Sequence, residues 1–407
     1  MGTMKHAKLI MVTGHSNHNK FYNLTENDND TFTAEWGRVG VTSTKKTYPM
    51  STWLSKYKSK IKKGYQDNTH LFTKSTTKST LKDITHNEIK LLMDNLQNYS
   101  NTSLANSYQV SSDSVTQKQI DEAQKLMNKL ALLIPKRKKL NIETKELNES
   151  LLELFKVIPR KLKKVKNSLF EDKIDKDTIL KKLDEEQSIL DNMASKVSIT
   201  QQQKDTNTDD KTILDMLGIT VEDITANEEQ DIKQLMTNSA NRFVKAFRVN
   251  HHNSRNKMDK YCTDNKITNF ESLYHGSKNL SWIHILKSSL LLRPTNGIVT
   301  GALLGSGLYF ANKAQKSIGY TSVRGSYWVN GTDDKGYLAI FEVGLGKELI
   351  TKNHTNWMYD LTLDNLKKQG NYDSFYFIGG PNSYLQNDEK VVYHENQCTI
   401  KYLIEIK

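Results

Sequence analysis

Leu273-Tyr274-His275-Gly276-Ser277 opens the stretch on which the reading of this chain turns. Gly305-Ser306-Gly307-Leu308-Tyr309-Phe310-Ala311 and Lys316-Ser317-Ile318-Gly319-Tyr320 follow it, and Glu389 closes the set. Small residues flank each candidate side chain, and glycine lets a backbone approach a ligand where a side chain would obstruct. The apolar pair before His275 predicts a strand edge opening into a cleft. Tyr309 and Tyr320 offer flat aromatic faces there, and His275, Ser277 and Ser317 offer hydrogen bonds to hydroxyls or amides. Glu389 adds a lone carboxylate. Together they describe a site for a polar, ring-bearing ligand. The plain alternative is that these are ordinary structural and surface groups.

Order and spacing decide between the two. Over the last ~190 residues, a span typical of one domain, the motifs resemble the poly(ADP-ribose) polymerase catalytic domain. The family's His-Tyr-Glu set falls on His275, Tyr309 and Glu389. The resemblance implies NAD+ as a consumed substrate, with no permanently bound cofactor. Gly276 backbone groups and the Ser317 hydroxyl would hold the nicotinamide carboxamide, Tyr309 and Tyr320 would flank its ring, and His275 and Ser277 would contact the adenosine-side ribose. Glu389 would bond the nicotinamide ribose, stabilise an oxocarbenium-like transition state and orient the acceptor. Glu395 is the nearby rival, but Val391-Val392-Tyr393 after Glu389 matches the family register. The complete triad implies polymer or oligomer transfer to protein acceptors, the chain itself included. Single-unit transfer to protein or DNA ends and an inactive break-binding scaffold are the alternatives. Two departures bear on the acceptor side and the adenine contact. Ala302-Leu303 replaces a bulkier Tyr-Met pair, and the usual Arg has no counterpart in register, Arg293 lying two positions later.

At 407 residues the chain is long enough for two or three domains. It has no apolar run near the ~20 residues of a membrane span. Cys262 and Cys398 alone make neither a disulfide framework nor a zinc site, so no metal is expected. These features predict a soluble intracellular protein without a membrane partner, nuclear if the source is eukaryotic. They leave the oligomeric state open. The net charge of +12 is uneven, with +7 in the first 100 residues and eight Lys or Arg without an acid between residues 36 and 66. Such a block is an electrostatic footprint for a polyanion, or simply a solvated lysine-rich face.

Leu9-Ile10-Met11-Val12, Lys20-Phe21-Tyr22-Asn23-Leu24 and Thr31-Phe32-Thr33-Ala34-Glu35-Trp36 read as strands separated by Asn- and Asp-rich turns. Gly37 and Gly40 predict a tight turn around Arg38. A helix should start near Ser51 with Trp53, Tyr57 and Ile61 on one face and stop at Gly64. Trp36-Gly37-Arg38 in this context, with Lys63-Gly64-Tyr65 and Thr69-His70-Leu71-Phe72, resembles a WGR domain. That resemblance implies nicked or broken DNA as partner, with Trp36 stacking, Arg38 on phosphate, and Lys45 and Lys46 in the basic footprint. Core packing is the competing role for Trp36.

The middle of the chain is helical. Capping boxes are expected at Thr85/Glu88 and Ser114/Gln117, leading into apolar stripes at Ile89, Leu92, Met93 and Leu96, and at Ile120, Ala123, Met127, Leu130 and Ile134. Residues 101–113 and 201–211 read as connections, with further helices over 143–157, limited by Pro159, and 177–194. No catalytic cluster falls here. The block resembles the helical regulatory domain of DNA-dependent family members, which implies a gate on NAD+ access. Pro135-Lys136-Arg137-Lys138-Lys139 is either a nuclear-import run or a solvated loop, and His251-His252 reads as loop.

A helix over 228–247, a strand at 338–343 and a last strand with Ile400, Tyr402, Ile404 and Ile406, without a Rossmann glycine fingerprint, predict an α+β transferase core. The fold class expected is multidomain α+β. A small antiparallel sheet plus helix would occupy 1–80, an all-α bundle 84–215, and a mixed α+β ADP-ribosyltransferase core 216–407.

Overall fold

The computed structural model describes residues 5–13, 18–38, 42–69, 81–135, 140–162, 164–205, 210–292 and 303–407. Gly40, His70, Leu71, Phe72, the run Lys136-Arg137-Lys138-Lys139, Arg293 and Ala302 lie outside the described residues. Packing groups the chain into two compact units, Met1–Lys78 with Thr102–Thr200, and Ser79–Asn101 with Gln201–Lys407. Among the described residues no helix is long and apolar enough to cross a membrane.

The first unit opens with β1 (His6–Thr13), β2 (His18–Glu26), β3 (Thr31–Arg38), β4 (Thr44–Pro49) and β5 (Gln66–Asp67), an antiparallel sheet of order β4-β3-β2-β1-β5. Alternation explains its packing. Leu9 and Met11 join Tyr22, Leu24, Phe32 and Ala34 around Trp53 of α1 (Trp53–Lys62), while Ile10 and Val12 are buried from the other side. Trp53 meets Phe32 edge to face at 5.1 Å. The expected face of α1 ends early, because its last turn carries Ile61 into solvent at 39% exposure. Gly64, at φ +88°, stops the helix as expected.

Two readings of this region need correction. Gly37 is a ladder residue opposite Phe21, and β3 continues through Arg38, which pairs with Lys20, so the strand does not turn at Gly37. The basic block also hides β4. Lys45 and Lys46 disguise its alternation, and on an edge strand lysines discourage pairing with another chain.

In chain order there follow α2 (Asn87–Ser107), which begins in the second unit and ends in the first, α3 (Gln117–Leu132), α4 (Lys145–Val157) and α5 (Lys176–Asp205), which ends in the second, with a two-stranded pair β6 (Ile142–Glu143) and β7 (Lys173–Ile174). The predicted apolar stripes are buried. Neither capping box forms at the expected residues. His86 rather than Thr85 caps α2, its Nδ1 accepting from Ile89 N–H at 3.5 Å. The α3 box is Thr116/Gln119, two residues late. Val115 and Ile120, the positions a hydrophobic staple joins, are both buried and favour that register. Residues 101–107 are helical, since Leu104 continues the stripe of Leu96 and Ser100. Val197 and Ile199 likewise carry α5 to Asp205.

The second unit contains α6 (Ile213–Leu217), β8 (Ile219–Asp223), α7 (Ala226–Met236), β9 (Phe243–His251), α8 (His252–Asp264), β10 (Phe270–Gly276), α9 (Trp282–Ser288), β11 (Leu308–Phe310) and α10 (Ala314–Ile318). It continues through β12 (Gly336–Gly344), β13 (Glu348–Thr351), α11 (Leu363–Gly370), β14 (Ser374–Phe377), β15 (Glu389–Val392) and β16 (Cys398–Ile406). These make a five-stranded sheet of order β10-β12-β16-β9-β8 and a four-stranded sheet of order β11-β15-β14-β13. Only β13 and β14 run parallel among these pairs. The continuous run Leu338-Ala339-Ile340-Phe341 is a central strand, no residue of it above 1% exposed. Each such large apolar side chain contributes about 1.5–3 kcal/mol by leaving water. Tyr274 and Ala311 exchange backbone hydrogen bonds of 2.8 and 3.0 Å, which joins β10 to the end of β11 and so one sheet to the other.

The helix expected over 228–247 ends at Met236, and the aromatic and β-branched residues from Phe243 onward form β9 instead. His251 is not loop either. It is buried, ends β9 and caps α8, its Nδ1 accepting from Ser254 N–H at 3.3 Å while Nε2–H donates to Lys287 O at 3.3 Å. Burial holds its pKa below the ordinary 6.5, and burial does the same for His275 and His394. A depressed folded pKa means the unfolded chain binds protons first. The stabilisation is therefore complete above about pH 6.5 and is lost as pH falls from there through the folded values. Melting temperature should drop between pH 7 and 5.5, and His251→Asn, which keeps a capping acceptor that does not titrate, should make that dependence shallower. An unchanged slope in the variant would assign the acid sensitivity elsewhere.

Candidate active site

The site is assembled where the two sheets join. β10 delivers His275 and Gly276. β11, antiparallel to β15, places Tyr309 opposite Val391, and Glu389 stands two residues before that partner. α10 delivers Lys316 and Ser317, with Tyr320 just beyond its end. Gly276 is required by the packing. A Cβ on it would lie 1.8 Å from Ser317 O and 2.7 Å from Ser317 C, so only glycine lets β10 and α10 come this close.

His275 has a defined tautomer. Its Nδ1 lies 3.2 Å from Tyr309 O, a carbonyl that can only accept, so Nδ1 carries the proton and Nε2 remains an acceptor. Phe310 and Phe341 meet the imidazole edge-on at 6.0 and 5.9 Å. The Tyr309 hydroxyl donates to Gly305 O at 2.8 Å and accepts from Leu304 N–H at 3.0 Å. It is thereby committed to the backbone, and the tyrosine can offer a ligand only its ring. Burial, and then the charge of Glu389, push the Tyr309 hydroxyl well above its ordinary pKa of 10. The same two causes take Tyr320 to about 12.

Glu389 is 9% exposed. Its Oε1 accepts from Lys316 Nζ at 2.5 Å, and Lys316 also donates to Asp388 O at 3.0 Å. Glu389 Oε2 is buried without a hydrogen-bond partner among the described residues. A buried charged oxygen in that state is costly unless a donor arrives. Burial depresses the Lys316 pKa, against the opposing pull of Glu389. Asp388 is tied to Asn312 Nδ2 at 2.7 Å and to Gly379 N–H at 2.8 Å, which fixes the backbone entering Glu389.

The structure thus brings His275, Gly276, Tyr309, Ser317, Tyr320 and Glu389 to one place, with Ser277 immediately after β10. Glu395 is removed from it, lying between β15 and β16 and accepting from Leu292 N–H at 2.8 Å. Lys316 is the functional residue that motif reading passed over, although it stands inside a quoted motif. Glu389 is buried in the fold, and a buried carboxylate needs a countercharge, which Lys316 supplies from α10.

The basic N-terminal residues gather elsewhere, in the first unit. Trp36 is half-buried and stacks on Tyr22 at 5.7 Å, so part of its surface serves the core. Arg38 ends β3, Lys45 lies 3.7 Å from Glu35, and Lys46 sits over Tyr48 at 5.5 Å. Lys60, not singled out in the sequence, lies over Tyr22 at 4.1 Å. Its pKa is lowered by burial and then by Lys63, Lys56 and Lys20.

The buried Glu389–Lys316 pair, with His275, Tyr309 and Tyr320 around it, thus stands on two largely antiparallel sheets. Residues 220–407 match the poly(ADP-ribose) polymerase catalytic domain. Protein 101L of Invertebrate iridescent virus 6 is 35% identical over 204 residues, which cover 50% of this chain and 82% of the viral protein. The poly [ADP-ribose] polymerase-like protein 100L of the same virus is 32% identical over 168 residues, covering 41% and 87%. Human Poly [ADP-ribose] polymerase 2 is 27% identical over 157 residues, 33% of this chain and 26% of the human protein. The chain belongs to the poly(ADP-ribose) polymerase family, and it is an NAD+ ADP-ribosyltransferase.

Proposed function

We propose that this chain is a transferase activated by DNA strand breaks, and that it passes ADP-ribose as oligomer or polymer to protein acceptors, itself among them. In a eukaryotic cell its place of action is the nucleus. The observation that carries the chemistry is the buried Glu389, one oxygen charged against Lys316 and the other without a partner among the described residues. That free oxygen suits a ribose hydroxyl of NAD+. The bond from the ribose carbon to the pyridinium nitrogen breaks with its electron pair leaving on nicotinamide. The carboxylate then stabilises the cationic ribose until an acceptor oxygen bonds to it. His275 Nε2 and Ser277 hold the far ribose, Gly276 and Ser317 hold the carboxamide, and the Tyr309 and Tyr320 rings flank the pyridinium.

Residues 1–80 are the break sensor in this reading, 84–215 the helical gate and 216–407 the transferase. Lys60 over Tyr22, with Lys20, Lys56 and Lys63 near it, supports the sensor, and Arg38, Lys45 and Lys46 lie on the same sheet as Tyr22. The gate acts only if DNA binds its open and closed states with different affinity.

The deciding experiment follows nicotinamide release from labelled NAD+, with and without nicked, 5′-phosphorylated duplex. Release that rises with DNA supports sensor and gate, and equal release removes the gate. DNA binding should weaken linearly with log salt, and replacing Lys56, Lys60 and Lys63 by Ala should reduce that slope by about 1 for each phosphate no longer neutralised. An unchanged slope would place the DNA elsewhere. The small side chains of Ala302 and Leu303 favour a second reading, single-unit transfer, because they offer less surface to a growing chain. A ladder or a single band on a denaturing gel separates the two.

A further inference from the structure

Trp328 lies between α10 and β12 and is 57% exposed, yet its ring stacks on Tyr320 with centroids 5.9 Å apart and planes 20° from parallel. The backbone holds this pair. Trp328 N–H donates to Gly319 O at 2.9 Å, and a Cβ on Gly319 would lie 2.9 Å from Trp328 Cδ1. The turn around Trp328 is fixed as well. Arg324 N–H donates to Asp333 O at 2.8 Å, Asp333 N–H to Ser322 O at 3.0 Å, and Gly331 N–H to Ser326 Oγ at 2.8 Å. Tyr327, 77% exposed, packs edge-on against Trp328 at 4.7 Å. A tryptophan this exposed gains little from leaving water, so its ordered position against a site tyrosine points to a use at the site.

Building on the transferase reading, we propose that Trp328 is a positioning residue that fixes Tyr320 as one wall of the slot for the pyridinium–carboxamide ring of NAD+. Trp328 covers one face of the Tyr320 ring, so a flat ligand ring stacks on the other. Tyr320 follows the five-residue helix α10, and the stack limits rotation of its side chain. Without Trp328 the wall is free to turn, and ordering it again on binding weakens the ligand. Catalysis at the ribose is left to Glu389. Loss of Trp328 therefore acts on affinity and spares the chemical step.

The test uses the full chain as wild type, Trp328→Ala, Trp328→Leu, Trp328→Phe and Tyr327→Ala, measuring NAD+ turnover and direct binding of nicotinamide. Trp328→Ala and Trp328→Leu should each raise KM for NAD+ and weaken nicotinamide about tenfold, the scale of one aromatic pair, with kcat within about twofold. Trp328→Phe, which restores an aromatic face, should recover most of both, and Tyr327→Ala, which removes one edge contact but leaves the Trp328 N–H bond to Gly319 O, should shift both by no more than about twofold. A folding defect would lower apparent kcat through the active fraction without raising KM, and Trp328→Leu keeps bulk if the alanine variant is unstable. Wild-type nicotinamide affinity in both the alanine and leucine variants overturns the positioning role and leaves the transferase intact. A wild-type protein that neither cleaves NAD+ nor binds nicotinamide overturns the transferase reading itself, and the positioning role with it.

Discussion

Glu389→Gln should cut nicotinamide release by about 10²–10³-fold, with little change in KM, since it removes the buried negative charge that the proposed chemistry sets against the developing cation. The amide keeps the size of the side chain and an acceptor atom. What it loses is charge, on a side chain only 11% exposed and paired with a lysine 13% exposed. Leaving one partner of a buried pair alone costs about 3–5 kcal/mol, so the variant should also melt lower. The two effects can be separated. Adding Lys316→Met removes the stranded ammonium and should restore melting temperature without restoring turnover. A double variant that recovered both would show that Glu389 acts through folding and not through the ribose cation. Turnover retained in Glu389→Gln alone would remove the residue from the chemistry.

Gly276→Ala is the second substitution with a large expected effect, and it adds only a methyl group. Its carbon would fall 1.8 Å from a backbone oxygen of α10, a contact no side-chain rotation relieves. β10 and α10 must separate, and overpacking of this kind costs about 1–3 kcal/mol or more. Function should suffer further, because α10 carries both Lys316 and Ser317. A displacement near 1 Å of positioned groups costs about 10²-fold in rate. Thermal melting and nicotinamide release on the same preparation check both halves. A folded protein that melts lower and has lost turnover fits the geometry, whereas full turnover would mean that the two elements need not come this close.

The features legible from sequence are those set by local rules. Leu9 to Val12 is apolar throughout because both faces of that strand are covered. Ile120 to Ile134 repeats at helical spacing because one face is buried. The sites at His275, Tyr309 and Glu389 stand out because the glycines and short polar groups around them are poor core formers. What escaped was set by partners distant in sequence. Lys316 is an ordinary lysine until Glu389, 73 residues later, is folded against it. β4 hid because Lys45 and Lys46 obey edge-strand rules rather than alternation. His251 was misread because its value is an unprotonated nitrogen aimed at the next helix. The capping boxes slipped because several Ser and Thr compete near each helix start, and buried neighbours such as Val115 choose among them.

The exchange of two hydrogen bonds between Tyr274 and Ala311 has a consequence for solubility. β10 and β11 are outer strands of their sheets, and a bare outer strand invites addition of a strand from another molecule. Here the bridge between Tyr274 and Ala311 occupies one position of the β10 edge and the residue that follows β11. Among the described strands of the four-stranded sheet, the outer position left uncapped is β13, four residues long and carrying the exposed Ile350. If crowding drives this unit to aggregate, β13 is where the first foreign strand would attach, and a charge at position 350 is where an engineer would intervene.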